Sequence, residues 1–409
     1  MKCEETMRTV WLVGLILVLG LALPAAPVSK AANQQSGAAD KSLLAPAPPM
    51  GFNTWNKFGC DVSERLIREI ADAMVSSGMR EAGYRYLVID DCWQVARAED
   101  GRIIADPERF PSGMKALADY VHDKGLAFGL YTDVGPKTCV GRPGSFGFED
   151  LDVATYAEWG VDYIKVDWCH ADDLDPRVQY TKFREAIRKT GRPIVLSICE
   201  WGRNDPWKWA QGIGQLWRVT ADIQDTWESI VWIVNANSRH FGAAGPGRWN
   251  DPDMLEVGNG GMTFDEYKAH FSLWAMMAAP LLAGNDVRDM TEETKEILLN
   301  REVIAVDQDP LGLQGRVVID RGYGGQVWMK PLADGSVAVA FLNLTSKELE
   351  LYVRWSQIGL PPGPAEVRDL WAHRDLGLHA DWGRHFDERF KALVPPHGVV
   401  MVRIRKASS

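Results

Sequence analysis

Histidine is scarce in this 409-residue chain, at 8 residues, and no HxH or HExxH spacing occurs. A transition-metal site is therefore not expected. No CxxC pair is present, which removes zinc ribbons. The first strand-like segment is not followed by a Gly-rich phosphate turn, so an open doubly wound dinucleotide sheet lacks its main signal. Basic residues are outnumbered, with 45 Lys+Arg against 55 Asp+Glu and a net charge of -10. That balance argues against nucleic acid or an anionic membrane surface as partner. Low-complexity sequence is confined to an Ala-rich leader, and the longest apolar run, residues 10–23, falls short of the roughly 20 residues a membrane span needs.

That apolar run, followed by small residues, reads as an export signal over residues 1–32, with a leader or linker over 33–46. Export implies a secreted or periplasmic location and no membrane attachment once the signal is removed. Glu4 and Glu5 are unusual ahead of such a run, and a start at Met7 gives a more ordinary signal. Of six cysteines, Cys3 leaves with the signal, so five remain: Cys60, Cys92, Cys139, Cys169 and Cys199. Oxidising conditions favour disulfides, and an odd number leaves one thiol free. Tryptophan is plentiful, at 17. Its flat apolar faces suit sugar rings, although core packing accounts for most Trp equally well.

From Pro48 onward strand-like and helix-like segments alternate. Strands are expected at 50–55, 84–90, 126–133, 161–167, 193–200, 215–222, 248–255 and 281–286, the seventh irregular. Ser63 is the expected N-cap of the first helix, whose Leu66, Ile67, Ile70, Ala71, Met74 and Val75 recur at helical spacing. Further helices are expected at 111–124, 152–159, 176–190, 206–211 (short), 226–241, 264–278 and 292–300. Eight strand-helix units define an α/β fold, a (β/α)8 TIM barrel over residues 47–309. After Asp309-Pro310-Leu311-Gly312 the pattern becomes period-two, as in Leu349, Leu351, Val353 and Val400, Val402, Ile404. Residues 310–409 are therefore expected to form an antiparallel β-sandwich domain.

Barrel enzymes place their chemistry at the C-terminal ends of the strands. Seven of the eight expected strands end there in acid: Asp90 and Asp91, Asp133, Asp167, Glu200, Asp222, Asp251 and Asp253, and Asp286. Any one of these is commonly a loop or cap residue. Together they would repel one another unless something binds. A carboxylate-bound magnesium or calcium is one reading. A polyhydroxylated ligand fits better, because adjacent hydroxyls donate paired hydrogen bonds to a carboxylate while Trp55, Trp93 and Trp201 offer apolar faces. No cofactor or metal is expected. Lys165 and Asp167 share a strand face, a pairing expected to keep Asp167 ionised. Glycoside cleavage needs a second, protonated carboxylate, and Asp222 lies two strands further round. Arg218, four residues before it, works against that role by favouring its ionised form.

The motifs Pro49-Met50-Gly51, Asp90-Asp91-Cys92-Trp93, Tyr131-Thr132-Asp133-Val134-Gly135, Lys165-Val166-Asp167, Cys199-Glu200-Trp201-Gly202, Trp249 to Leu255 and Asp307 to Gly312 occur in this order. Together they resemble glycoside hydrolase family 27, the α-galactosidase and α-N-acetylgalactosaminidase family. The resemblance implies a retaining mechanism, with Asp167 as nucleophile and Asp222 as general acid/base. It implies that Trp55, Asp90, Asp91, Tyr131, Lys165, Glu200, Trp201, Arg218 and Asp253 hold the sugar. It further implies the disulfides Cys60–Cys92 and Cys139–Cys169 and a free, buried Cys199. Glu200 and Trp201 resemble the galactosidase version of the pocket around the sugar 2-position, where acetamido-sugar enzymes carry small residues. The Asp90-Asp91 pair is less like the β-L-arabinopyranosidase relatives. Trp168 departs from the small or polar residue associated with the position after the nucleophile. The expected substrate is a galactosylated oligosaccharide, polysaccharide or glycoconjugate, and the sequence leaves a homo-oligomer open. The alternatives are the two sister activities of the family and a non-catalytic carbohydrate-binding protein.

Overall fold

A computed structural model of the protein describes residues 43–407. The expected signal segment and residues 33–42 of the leader lie outside the described residues. Among the described residues, no helix is long and apolar enough to cross a membrane.

Eight short parallel strands form one curled sheet: β1 Met50–Asn53, β2 Tyr86–Ile89, β3 Ala127–Asp133, β4 Tyr163–Asp167, β5 Val195–Ile198, β6 Leu216–Arg218, β7 Trp249–Asp251 and β8 Leu281–Ala283. Their order is β8-β1-β2-β3-β4-β5-β6-β7. The remaining seam closes through Leu255, which bridges Ala283 in parallel; its N–H donates to the Leu282 carbonyl at 2.8 Å. The expected seventh strand is thus interrupted. Asp253 takes a left-handed conformation, φ +83°, before Leu255 rejoins the sheet. Gly51 is required by close approach, since a Cβ there would lie 2.2 Å from the Tyr86 carbonyl oxygen.

The helices α1 Glu64–Ser76, α2 Gly113–Asp123, α3 Glu149–Trp159, α4 Pro176–Thr190, α5 Trp227–Asn237, α6 Phe264–Met276, α7 Glu292–Leu298 and α8 Arg301–Asp307 ring the strands. Ser63 caps α1 by accepting from Leu66 N–H at 3.3 Å. The stripe Leu66, Ile67, Ile70, Ala71 and Met74 is buried against the sheet, each large side chain contributing about 1.5–3 kcal/mol. Between β5 and β6 the expected helix is reduced to a single 3-10 turn, Pro206–Lys208. Pro206 and three nearby Trp leave little regular helix-forming sequence there. A hairpin of Gln94–Arg97 and Ile103–Ala105 follows β2; its polar, Gly-containing connection masked the signal. Ala45 is buried and its carbonyl accepts from Trp249 Nε1 at 2.9 Å. The end of the expected linker is therefore packed against the barrel.

The second layer system comprises β9 Arg316–Asp320, β10 Gly325–Pro331, β11 Val337–Asn343, β12 Leu349–Val353, β13 Gly363–Asp369, β14 Arg374–Asp381, β15 Phe390–Val394 and β16 Val399–Lys406. Six strands pair antiparallel in the order β9-β10-β11-β16-β13-β14, and β12 pairs with β15. Val339, Phe341, Leu351, Val353, Trp355 and Ile404 fill the space between. Helix α6 is buried nearly throughout, as expected of a helix covered on several sides. Trp371 Nε1 donates to its Ser272 Oγ at 2.9 Å, and Lys330 Nζ donates to its Ala275 carbonyl at 3.1 Å. These contacts fasten the sandwich to the barrel.

Candidate active site

A single cleft at the C-terminal ends of the strands is lined by Trp55, Asn56, Asp90, Asp91, Tyr131, Cys139, Lys165, Asp167, Arg218, Asp222, Ile223, Asp253 and Met254. Its enclosed volume is about 80 Å3, a tight pocket that opens directly to solvent. The barrel thereby gathers residues more than 190 positions apart.

Hydrogen bonds divide the carboxylates of this cleft into two kinds. Asp90 Oδ2 accepts from Asn53 Nδ2 at 2.8 Å and Lys165 Nζ at 2.9 Å, while its Oδ1 accepts from Asp91 N–H at 3.0 Å. Asp91 Oδ1 accepts from Cys92 N–H at 2.7 Å, and its Oδ2 from Val140 N–H at 3.4 Å. Asp253 Oδ2 meets Ile223 N–H at 2.9 Å and Arg218 Nη2 at 2.8 Å, and Oδ1 accepts from Met254 N–H at 2.8 Å. Each of these acids has both oxygens engaged. Asp167 and Asp222 do not. Asp167 Oδ1 accepts from Trp168 N–H at 3.0 Å, whereas among the described residues Oδ2 has only the Cys139 sulfur at 3.6 Å. That sulfur is in a disulfide and has no hydrogen to donate. Asp222 Oδ1 meets Arg218 Nη2 at 2.9 Å, and among the described residues Oδ2 has no donor.

The electrostatics sharpen the contrast. Burial pushes the Asp167 carboxyl up to about 6, against the lowering pull of Lys165 and with a further push from Asp90 and Asp222. Lys165 does share the strand face, but its direct partner is Asp90, and its pull on Asp167 is outweighed by desolvation. The expectation that the pairing with Lys165 keeps Asp167 ionised thus meets a larger opposing push from burial. Asp222 is the reverse case. Burial pushes it up, yet Arg218 and Lys165 together hold it below the ordinary carboxylate value. Its side chain is 66% exposed, against 6% for Asp167 as a residue. Asp133 lies outside the cleft lining. Burial and the neighbouring Asp167 push it up to about 8, and Gly135 and Cys169 N–H groups occupy its oxygens at 2.7 and 2.9 Å. A Cβ on Gly135 would lie 2.1 Å from the Cys169 carbonyl oxygen, which explains the glycine in that motif.

Two disulfides brace the rim. Cys60 joins Cys92 with a Cα separation of 5.2 Å, and Cys139 joins Cys169 at 5.1 Å. Cys199 is free and buried, and its sulfur lies 3.6 Å from Arg218 Nη1. Cys92 and Asp253 hold left-handed conformations, φ +80° and +83°. Such residues store about 1–3 kcal/mol each and persist only where surrounding bonds over-determine them.

Glu200, Trp201 and Trp93 are the three sequence-derived sugar contacts that the structure does not bring into the cleft lining, Trp93 being fully buried with its Nε1 donating to the Tyr131 carbonyl at 2.9 Å. Glu200 Oε2 accepts from the Asn204 main-chain and side-chain N–H groups at 2.8 and 2.7 Å, and its Oε1 is buried without a partner. Trp201 carries the Arg203 guanidinium 4.6 Å from its ring centroid. The cleft instead includes Asn56, Cys139, Ile223 and Met254, which were not read as lining residues. Asn56, Ile223 and Met254 directly follow Trp55, Asp222 and Asp253 in sequence, and Cys139 is half of a rim disulfide. Trp168 is 3% exposed and stacks on Tyr180 at 5.7 Å, whose hydroxyl donates to the Val166 carbonyl at 3.2 Å. It is a packing wedge behind β4.

A (β/α)8 barrel whose rim encloses acids, two cations and aromatic faces in one cleft has the build of a carbohydrate-processing enzyme. Residues 47–309 match the family described as alpha galactosidase A, and residues 322–404 match the alpha galactosidase C-terminal beta sandwich domain. The chain belongs to this family, glycoside hydrolase family 27. It is 46% identical over 410 residues to alpha-galactosidase A of Cellvibrio japonicus, covering 95% of this chain and 98% of that one. Alpha-galactosidase I of Mortierella vinacea superposes with a TM-score of 0.84 at 38% identity, over 90% of this chain and 99% of that one. An alpha-galactosidase of Saccharomyces cerevisiae, solved with raffinose, superposes at 0.82 with 30% identity, over 89% and 98%.

Proposed function

We propose that the protein is an exported α-galactosidase that removes terminal non-reducing α-D-galactosyl residues by double displacement, with Asp167 as nucleophile and Asp222 as general acid/base. The observation that supports this reading most is that these two acids each keep one oxygen uncommitted, while the other carboxylates of the cleft do not. Engaged carboxylates orient and accept hydroxyls; an uncommitted one can form a bond or move a proton.

In the first step Asp167 Oδ2 attacks the anomeric carbon from the face opposite the leaving oxygen. Asp222 gives its proton to that oxygen as the glycosidic bond breaks, leaving a β-galactosyl ester on Asp167. Asp222, now ionised, takes a proton from water; the water oxygen attacks the same carbon, releases Asp167 and yields α-galactose. Asp90, Asp91, Asp253, Lys165, Arg218, Tyr131 and the Trp55 face hold the ring through both steps. A raffinose-type oligosaccharide is a fitting substrate, given the raffinose bound by the Saccharomyces relative. Proton NMR of fresh hydrolysate from an aryl α-galactoside tests the reading: α-galactose should appear first. Initial β-galactose would eliminate retention, and an aryl N-acetyl-α-galactosaminide or β-L-arabinopyranoside cleaved faster would assign a sister activity.

The titration order of the pair gives an acidic activity range. In the free enzyme the single shared proton resides mainly on Asp167, whereas the reactive form carries it on Asp222. The singly protonated pair is depleted as pH rises past about 6, the value to which Asp167 is pushed. Hence kcat/KM should fall about tenfold per pH unit above that point. A profile flat from pH 5 to 8 would contradict the order.

A further inference from the structure

Asn56 is a cleft residue to which neither the motifs nor the mechanism gives a task. It stands in the first turn after β1, next to Trp55. Its Nδ2 donates to Glu256 Oε1 at 2.5 Å. Glu256 is 4% exposed, and among the described residues it has no cationic partner. Its Oε2 accepts from Asn259 Nδ2 at 2.6 Å, and its own N–H donates to His270 Nε2 at 3.1 Å. A buried carboxylate without a cation is costly, and its surroundings here are fully specified by two amides. Burial, with Asp225 and Asp253 nearby, pushes it up to about 7.

Both Glu256 oxygens accept from amide nitrogens, Asn56 Nδ2 on Oε1 and Asn259 Nδ2 on Oε2, so the Asn56 amide turns its nitrogen to Glu256. Its oxygen is then left to the cleft, where among the described residues Oδ1 has no protein donor. We propose that Asn56 Oδ1 accepts a hydroxyl of the bound galactosyl ring, and that Glu256 is the positioning residue that fixes this orientation. The inference rests on the functional reading above. Asn56 and Glu256 thereby tie the first βα loop to the seventh, which also carries Asp253 and Met254. Ring recognition then extends to a wall of the cleft outside the acidic rim.

The test is competitive inhibition of aryl α-galactoside hydrolysis by D-galactose and by its monodeoxy derivatives, with wild type, Asn56→Leu, Asn56→Ser and Glu256→Gln. The Ser variant leaves room for water at Glu256 should the Leu variant fold poorly, and circular dichroism confirms each fold. Galactose should bind the Asn56 variants about three- to tenfold more weakly, the loss of one neutral hydrogen bond. One monodeoxygalactose should bind wild type and variants equally, identifying the hydroxyl concerned. Glu256→Gln should weaken galactose while sparing that same derivative. Wild-type protein that neither cleaves the galactoside nor binds galactose would sink the functional reading itself. Folded Asn56 variants that bind galactose as wild type does, or lose equally on every derivative, would overturn this inference while leaving that reading standing. A uniform loss in Glu256→Gln would reduce Glu256 to a structural role.

Discussion

Asp167→Asn is expected to lower kcat/KM for an aryl α-galactoside by at least about 10^4-fold, the scale on which removal of a covalent nucleophile acts. The substitution preserves shape. Asn can still accept from Trp168 N–H, and the side chain keeps its place beside the Cys139 sulfur. What disappears is the lone pair that bonds to the anomeric carbon, because an amide oxygen is a poor nucleophile and the ester cannot form. Stability should not suffer. The folded value of Asp167 is raised, so its ionised form weighs against the fold increasingly as pH rises from the ordinary value of 3.8 toward about 6. A neutral amide removes that penalty above pH 6. Thermal melting at pH 7 should therefore occur no lower than in wild type, while steady-state kinetics show the loss. A folded variant with full activity would remove Asp167 from the chemistry.

Asp222→Ala separates the two steps. With an oligosaccharide, departure of the sugar alkoxide needs a proton, and kcat/KM should fall by about 10^2–10^4-fold. With a dinitrophenyl galactoside the leaving group departs unaided, so the first step stays fast and hydrolysis of the ester becomes limiting. Rapid-quench kinetics should show a burst of dinitrophenol stoichiometric with enzyme. Azide, which attacks without a general base, should restore turnover and give α-galactosyl azide, since the second displacement inverts the inverted ester. A loss identical for both substrates with no burst would reassign the proton transfer. Arg218 supplies a control on the same residue. It grips Asp222 and Asp253 with one nitrogen, so the exposed Asp222 is held in place by a buried cation that is itself fixed.

Much of the fold could be read from the chain because its signals are local. Ser63 and the stripe behind it specify α1, and period-two runs such as Leu349 to Val353 specify sandwich strands. Failures arose where tertiary packing decides. The single turn Pro206–Lys208 replaces a helix, and Ala45, in what reads as linker, is buried under Trp249. In the cleft, strand-end position sufficed to locate Asp90, Asp167, Asp222 and Asp253. The roles of the acids were a different matter. Which carboxylate is saturated depends on donors such as Asn53, Val140 and Ile223 arriving from other strands and loops, and no spacing rule encodes those arrivals. Lys165 illustrates the limit: alternation puts it on the face of Asp167, but only the end of β2, two strands away, shows that its nitrogen is bound to Asp90. Glu200 shows the converse, since its motif suggested a sugar contact while its Oε2 is held by Asn204.

The nucleophile assignment can be tested covalently. Asp222→Ala, mixed with dinitrophenyl α-galactoside, quenched in acid during the steady state and digested, should yield one peptide heavier by an anhydrohexosyl unit. Fragmentation should place that unit on Asp167. An adduct on Asp90, Asp91, Asp133 or Asp253, or turnover with no adduct on any carboxylate, would contradict the account.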